Sequence, residues 1–414
     1  MTNWKEYKLG ELVAVNERSI GRNFEFKTIE YIDTSSVTEN KFDTPAYTTI
    51  SEAPSRAKRL IANGDTIIST VRPIQKHYGF IKEAKGNQVV STGFAVVTPK
   101  RIEPRFLYYF LTQAEITEFL NTIAEGGTTT FPAFKADELK DLPINLPDYN
   151  TQTAIAEILS SLDDKIELNN KINQELENLA QTLFKQWFID FEFPNEKGEP
   201  YKSSGGEMVD SELGEIPKGW EVGNLNQIAE LQKKNKKPFE NPDTIYHHYS
   251  LPEFDSGKMP SKELGEKILS SKYQVLEHSI LVSKLNPRIP RIWTIIKPND
   301  NSICSTEFQV LKPLEDVFFP FVNCLCSSDG YINSIQSKVT GTSSSHQRVN
   351  PKDIINYEMV LPPLSIVNQF YDSVYDSLNL IDDNRKENQE LTNLRDTLLP
   401  KLISGELEVK NVNF

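Results

Sequence analysis

Apolar residues recur at helical spacing in two long stretches of this chain. In residues 150–188 they lie three or four positions apart, or at multiples of these steps: Ile155, Ile158, Leu162, Ile166, Ile172, Leu176, Leu179, Leu183 and Trp187. Residues 365–403 have the same pattern: Val367, Phe370, Val374, Leu378, Ile381, Leu391, Leu394, Leu398 and Leu402. The spacing predicts two long amphipathic helices, each of which must pack its apolar stripe against another helix.

The two helices belong to a repeat that covers most of the chain. The sequence NQEL at 173–176 returns at 388–391, and STGFAV at 91–96 returns as STEFQV at 305–310. A nearly constant offset of this kind indicates two tandem copies of one structural unit. We therefore divide the chain into a first module (1–149), a central helix (150–193), a linker rich in Pro, Gly and acidic residues (194–219), a second module (220–362) and a C-terminal helix (363–414).

Within the modules, the pattern predicts a mixed α/β (α+β) fold. Runs rich in β-branched and aromatic residues predict strands at 28–32, 66–71, 80–82 and 88–98. Pro104 is expected to open a helix from Arg105 to about Ile123, with Phe119 among its apolar residues. Residues 320–335 are expected to form the equivalent helix of the second module.

The net charge of −13 is concentrated outside the modules. Residues 150–215 hold 14 acidic and 5 basic side chains, and residues 363–414 hold 9 and 5. Within the modules, residues 56–105 hold 10 basic and 3 acidic side chains, and residues 257–297 hold 8 and 3. Basic clusters supply the phosphate-directed part of DNA affinity, so these stretches indicate DNA binding, although a solvated mixed-charge surface gives the same counts.

The remaining composition narrows the class of protein. No apolar run reaches membrane-spanning length, and the N-terminus lacks the apolar core of a signal peptide, so we expect a cytoplasmic protein that does not contact a membrane. The three cysteines, Cys304, Cys324 and Cys326, are too few for a disulfide framework and lack the other ligands of a zinc site. We therefore expect them to be small buried side chains, and we expect no metal site.

Several segments resemble the specificity (S, or HsdS) subunits of type I restriction–modification systems. They are FKQWFIDFEFP at 184–194, YKSSGGEM at 201–208, LGEIPKGW at 213–220, LPPL at 361–364 and LLPKLISG at 398–405. The resemblance spans essentially the whole chain. One departure is visible, because the first module ends in LPDYN at 146–150 and lacks the second Pro-Leu.

The resemblance implies a function and an arrangement. Each module would be a target-recognition domain that reads one half of a split, asymmetric double-stranded DNA sequence. The two helices, about 54 Å long for about 36 residues, would pack as an antiparallel coiled coil with pseudo-two-fold symmetry and hold the half-sites about one helical turn apart. They would dock two adenine methyltransferase (M) subunits, which bind S-adenosylmethionine, and through these the nuclease/translocase (R) subunits. The chain itself would bind no cofactor and catalyse no reaction.

Candidate functional residues fall into two groups. Polar and basic side chains in corresponding turns and loops of the modules have the donors and acceptors that DNA contacts require, although loop solvation explains each of them equally well. They are Arg72, Lys76, His77, Thr128, Thr129, Thr130 and Lys135 in module one, and Asn286, Arg288, Arg291, Ser343, Ser344, His346, Gln347 and Arg348 in module two. Helix pairing and partner docking are assigned to Ile155, Leu162, Leu176, Leu183, Trp187, Phe370, Leu378, Leu391 and Leu398.

Two alternatives belong to other classes of protein. The same fold could serve as a non-catalytic DNA-binding scaffold of a related anti-phage system, with an affinity that is indifferent to sequence. The chain could also be a Mg²⁺-dependent nuclease, because Asp65, Glu83 and Lys85 have a nuclease-like spacing. The Asn/Asp-Pro-Pro-Tyr/Phe motif of adenine methyltransferases is missing from the sequence.

Overall fold

The elements follow the predicted repeat through the part of the chain that the computed structural model describes, residues 4–126, 132–339 and 347–411. The chain divides into two units. The first contains Met1–Ile166 and Leu391–Phe414, and the second contains Glu167–Glu390. Each long helix contributes residues to both units. None of the helices described is long and apolar enough to cross a membrane.

The first unit is a mixed α/β module with the N-terminal half of a long helix. Its strands are β1 (Lys5–Lys8), β2 (Val13–Val15), β3 (Thr28–Ile32), β4 (Val37–Thr38), β5 (Lys41–Phe42), β6 (Ala46–Thr49), β7 (Ala57–Leu60), β8 (Thr66–Ser69), β9 (Tyr78–Phe80), β10 (Gln88–Ser91), β11 (Phe94–Pro99) and β12 (Pro143–Leu146). Its helices are α1 (Pro104–Leu111), α2 (Ala114–Glu125) and the start of α3 (Tyr149–Phe184). Two four-stranded sheets have the orders β6-β3-β10-β7 and β2-β11-β8-β9, and β1 pairs with β12.

The second unit repeats this plan. Its strands are β13 (Met208–Ser211), β14 (Gly214–Pro217), β15 (Glu221–Asn224), β16 (Ala229–Gln232), β17 (Asn235–Lys236), β18 (Ile245–Tyr249), β19 (Ser261–Leu264), β20 (Lys272–Gln274), β21 (Ser279–Ser283), β22 (Ile292–Ile295), β23 (Ser302–Cys304), β24 (Phe308–Pro313) and β25 (Glu358–Leu361). Its helices are α4 (Leu251–Gly257), α5 (Phe319–Cys326), α6 (Asp329–Ser337), α7 (Pro351–Ile355) and most of α8 (Leu364–Ser404). The order β16-β24-β21-β22 matches β2-β11-β8-β9, and β19-β18-β23-β20 matches β6-β3-β10-β7. In both units one pair of strands is parallel, β3 with β10 and β18 with β23.

The single helix predicted for each module is wrong, because polar residues break it. In the first module α1 ends at Leu111, where the Thr112 hydroxyl donates to the carbonyl of Tyr108, and α2 starts after Gln113. In the second module Ser328 caps α6 through the amide of Tyr331. Phe119, expected among the apolar residues of the single helix, is 50% exposed. The predicted strand at 88–98 is likewise two strands, separated by a turn at Thr92–Gly93.

The long helices contribute to the core of each unit. In the first unit, Ile155 and Leu159 of α3 are buried with Leu402 and Ile403 of α8. The side chain of Asp163 accepts hydrogen bonds from Tyr109 and Arg395 there. α3 and α8 are antiparallel in both units. Leu179 and Leu394, which the periodicity places in the apolar stripes, are 51% and 42% exposed. The periodicity therefore assigns more residues to each apolar stripe than the helices bury.

An aromatic cluster packs the end of α3 against α8 in the second unit. Phe184 ends α3, and Trp187 and Phe188 lie in the following π-helical turn, Lys185–Ile189. All three rings pack on Phe370 of α8, with ring centroids 6.3, 5.7 and 4.9 Å from it. The three cysteines are also buried, as expected.

The segment predicted as a linker is ordered in the second unit. The ring of Phe193 stacks between Tyr201 and Trp220, with centroids 4.6 and 5.0 Å away. A side chain at Gly206 would collide with the Tyr201 ring, which explains the glycine. β13 and β14 then form a hairpin whose Ile216 is buried in the core. Aromatic stacking therefore orders a segment whose composition suggests a flexible connection.

Candidate nucleic-acid interface

In the first module, the turn after β8 is held in a specific shape. The Ser69 hydroxyl donates to the carbonyl of Val71 at 2.9 Å and accepts from the amide of the same residue at 3.2 Å. Arg72 follows in the left-handed conformation with φ of +48°. Such a backbone is strained for a residue with a side chain and persists only where its surroundings impose it. The Arg72 amide donates to the carbonyl of Pro132 at 2.9 Å. The basic turn is thereby joined to Pro132, the last residue of the polar loop predicted at 125–132.

The second module contains the same arrangement after β21. The Ser283 hydroxyl makes the equivalent two contacts with Leu285, both at 3.2 Å. Asn286 has φ of +47°, and its amide donates to the carbonyl of Gln347 at 2.8 Å. In each module the structure therefore brings the two predicted segments together. The remaining loop candidates, Thr128, Thr129, Thr130, Ser343, Ser344 and His346, lie outside the described residues.

The candidate residues of the first module differ in their exposure to solvent and in their contacts. Arg72, Lys76 and Lys135 are exposed. The Lys76 ammonium forms an ion pair with Glu39 at 2.7 Å. The half-buried His77 places Nδ1 2.7 Å from the carbonyl of Val37, an acceptor, so this nitrogen carries the proton. His77 therefore holds the turn in place through one ring nitrogen.

Two arginines of the second module hold carboxylates in bidentate geometry. Arg348 contacts Glu307 at 3.0 and 3.2 Å, and Arg291 contacts Asp255 at 2.7 and 2.8 Å. Hydrogen bonding to the carboxylate raises the pKa of each guanidinium. The Arg348 side chain is 45% exposed, whereas that of Arg291 is 13% exposed. Arg348 and the exposed Arg288 are therefore more accessible to DNA than Arg291.

The second module also contains two unsatisfied amides. The Asn286 Oδ1 and Gln347 Oε1 atoms are buried without a hydrogen-bond partner among the described residues. An unpaired buried oxygen costs free energy, so both atoms are unsatisfied polar groups of the junction between the turn and the loop. Asn and Gln side chains are the ones that pair with adenine in the major groove of DNA. The sequence placed both residues in the candidate group, but it gave no sign of these unpaired oxygens.

Much of the basic stretch in the first module is neutralised by carboxylates from elsewhere in the chain. Five of its cations form ion pairs in addition to that of Lys76: Arg56 with Asp33, Lys82 and Arg105 with Asp164, Lys85 with Glu30, and Lys100 with Glu17. In the second module, Lys258 lies over the Phe254 ring, and burial lowers its pKa. The count of basic residues therefore overstates the positive charge of the surface.

The proposed nuclease residues do not form a metal site. Asp65 is completely buried, and its carboxylate accepts hydrogen bonds from Arg18, Thr98 and the amide of Ala62. Lys85 instead contacts Glu30 at 2.8 Å. Within residues 4–126, 132–339 and 347–411, no group of His, Cys, Asp and Glu could hold a metal ion. The contacts of Asp65 are therefore those of a structural carboxylate, and Asp65 and Lys85 have different partners.

Comparison with known proteins shows what the chain is similar to. Residues 1–178 match the model of the type I restriction modification DNA specificity domain. The chain is 27% identical to the type I restriction enzyme HindI specificity subunit of Haemophilus influenzae, over 98% of this chain and 100% of that protein. It is 28% identical to the MjaIX specificity subunit of Methanocaldococcus jannaschii, over 86% and 80%. The resemblance seen in the sequence is confirmed, because the chain is similar to type I restriction enzyme specificity subunits over most of its length.

A solved structure shares the fold of this chain. The crystal structure of the type I restriction–modification S subunit from M. genitalium superimposes with a TM-score of 0.56. The alignment covers 97% of this chain and 96% of that one, at 16% sequence identity. The tandem α/β modules, each followed by a long helix, are therefore a fold that this chain shares with that S subunit.

Proposed function

We propose that this specificity subunit reads a split, asymmetric double-stranded DNA target, with one half read by each module. The proposal rests on a backbone hydrogen bond that joins the turn to the loop in both modules. This backbone frame is the same in the two modules, but its side chains differ. Arg72 and Pro132 occupy the frame in the first module, and Asn286 and Gln347 occupy it in the second. Because side chains at base edges determine sequence preference, equal frames with unequal side chains support two different half-sites.

The proposal extends to the partner subunits. Leu168 and Leu179 of α3 and Leu380 of α8 are each about half exposed in the second unit. Apolar side chains that a helix pair leaves uncovered are typical of surfaces that bind another protein. We assign this face to an adenine methyltransferase subunit. With two repeats we expect two copies, which bind S-adenosylmethionine and connect the nuclease/translocase subunits. This chain would position them without catalysing a reaction itself.

Long-read detection of N6-methyladenine tests the proposal in cells that express this chain with its methyltransferase. We expect a split asymmetric motif with one modified adenine in each half. The variant Arg72→Ala should relax only the half read by module one, and Arg348→Ala only the other half. Arg291→Ala is the matched control, because its guanidinium is mostly buried against Asp255. An assembled complex that methylates without a motif would refute sequence reading and favour the scaffold alternative.

A further inference from the structure

Asparagine side chains interrupt the apolar contact between α3 and α8 in the second unit. Asn169 is completely buried, and Asn173 and Asn384 are 6% and 7% exposed. Asn169 donates to Asn388 Oδ1 at 2.9 Å, and Asn384 donates to Asn173 Oδ1 at 2.8 Å. We call these four residues, Asn169, Asn173, Asn384 and Asn388, the asparagine layer. Glu387 also accepts from the Asn169 amide, at 2.7 Å.

Stability alone does not explain the asparagine layer. Buried amides must be desolvated, and apolar side chains of similar size are usually at least as stabilising at such positions. The layer is also incompletely satisfied, because Asn169 Oδ1 is buried with no partner among the described residues. Buried asparagines between paired helices have another established effect, which is to select one register of pairing at some expense of stability.

The hydrogen bonds of the layer define one register. From Asn169 to Asn173 the chain advances four residues along α3, and the partners step back four residues along α8, from Asn388 to Asn384. A slip of seven residues, about 10.5 Å along the axis, would place Asn173 opposite Leu391 and Asn384 opposite Ala180. Apolar layers tolerate such a slip because hydrophobic contact is non-directional, but the amides of Asn173 and Asn384 would then be buried against hydrocarbon.

We propose that the asparagine layer fixes the axial register of α3 against α8 and thereby sets the number of base pairs between the two half-sites. The repeat supports a specific role, because Asn169 and Asn173 correspond to Asn384 and Asn388 at an offset of 215 positions. Each hydrogen-bonded pair therefore joins the first of these two repeat positions on one helix to the second position on the other helix. The first part of the proposal depends only on this chain, and the second part rests on the proposed function.

Crosslinking measures the register without DNA. Glu177 and Arg385 form an ion pair at 2.6 Å, so Glu177→Cys with Arg385→Cys should crosslink through a short bismaleimide in the native register. Glu177→Cys with Thr392→Cys should crosslink only after a seven-residue slip. The natural cysteines are buried, and burial raises the pKa of the Cys326 thiol to about 12, so the introduced thiols react preferentially.

We expect native asparagines to give the first crosslink only. Replacing all four asparagines by Leu should raise the melting temperature and allow both crosslinks, and the methylated motif should then occur with more than one gap length. Asn178→Leu, at an exposed position of α3, is the matched control and should keep one register. If the fourfold variant does not fold, Asn173→Leu with Asn384→Leu removes one pair and should give the same result in weaker form.

Crosslinking confined to the native pair in the folded Leu variants would overturn the register role. If both crosslinks form but the gap length stays single, the register role stands and its link to the DNA target is overturned. If the unmodified chain yields no motif at all, the proposed function fails while the crosslinking result still decides the register.

Discussion

Phe370 offers the sharpest test of how α8 is held in the second unit. Its ring is completely buried among Phe184, Trp187 and Phe188, the closest centroid being 4.9 Å away. Truncating a buried Phe to Ala costs about 3–5 kcal/mol, because apolar area is lost and a cavity remains. Whole domains are typically stable by only about 5–15 kcal/mol. Phe370→Ala should therefore remove a large fraction of the stability of this unit.

The expected shift follows from the size of the unit, Glu167–Glu390. For folding units of this length, each kcal/mol changes the melting temperature by roughly 2–4 °C, so Phe370→Ala should lower it by about 6–20 °C. Differential scanning calorimetry can assign the change to one transition if the two units melt separately. Urea unfolding then gives the change in free energy from the midpoint at constant slope.

Leu380→Ala is the matched control on the same helix. Leu380 is 46% exposed, and surface substitutions usually change stability by no more than about 0.5 kcal/mol. The two variants should therefore differ clearly in calorimetry. Equal melting temperatures for Phe370→Ala and Leu380→Ala would show that the aromatic cluster does not hold α8, and the description of this core would be wrong.

Two further predictions concern binding of the methyltransferase and the pH dependence of stability. Leu168→Ser with Leu179→Ser should leave the melting temperature unchanged, since both side chains are about half exposed. The double variant should co-elute less with the methyltransferase on a sizing column. A complex that stays intact would exclude these residues as the docking surface. Hydrogen bonding from Lys85 lowers the pKa of the buried Glu30 below its ordinary value of 4.5. Its stabilising contribution is therefore present above that value and lost as the pH falls through the lowered pKa. Glu30→Gln should reduce the loss of melting temperature between neutral pH and about pH 3, and an unchanged acid profile would contradict this assignment.

Local signals in the sequence predicted the two long helices and the tandem repeat. Helical periodicity is a property of neighbouring residues, so Ile155, Phe370 and Leu378 could be placed in buried stripes without a structure. The same reasoning failed for Leu179 and Leu394, because periodicity identifies an apolar face but not how much of it another element covers. The hydrophobic pattern also missed the residues at which helices end or begin. Thr112 and Ser328 end or start helices through hydrogen bonds that a hydrophobic pattern does not contain.

The candidate interface was predictable as segments but not as contacts. Corresponding positions in the repeat identified the turn at Arg72 and the turn at Asn286, and backbone hydrogen bonds join both to the predicted loops. Charge pairing was not predictable, since Lys82 and Asp164 are 82 positions apart in sequence. Asp65 illustrates the same limit. Only its burial and its contact with Arg18 separate a structural carboxylate from a catalytic one.

The first and last strands of each module are paired with each other. Lys5 of β1 lies opposite Leu146 of β12, and Glu221 of β15 lies opposite Leu361 of β25. The polypeptide therefore enters and leaves each module at adjacent points, as in domains that accept insertion and circular permutation. Genetic recombination at these two strands would exchange a whole module as a cassette while the helices keep their sequence. If each module reads one half-site, as proposed, new specificities would arise by such exchange, without a series of single substitutions that must each preserve the fold.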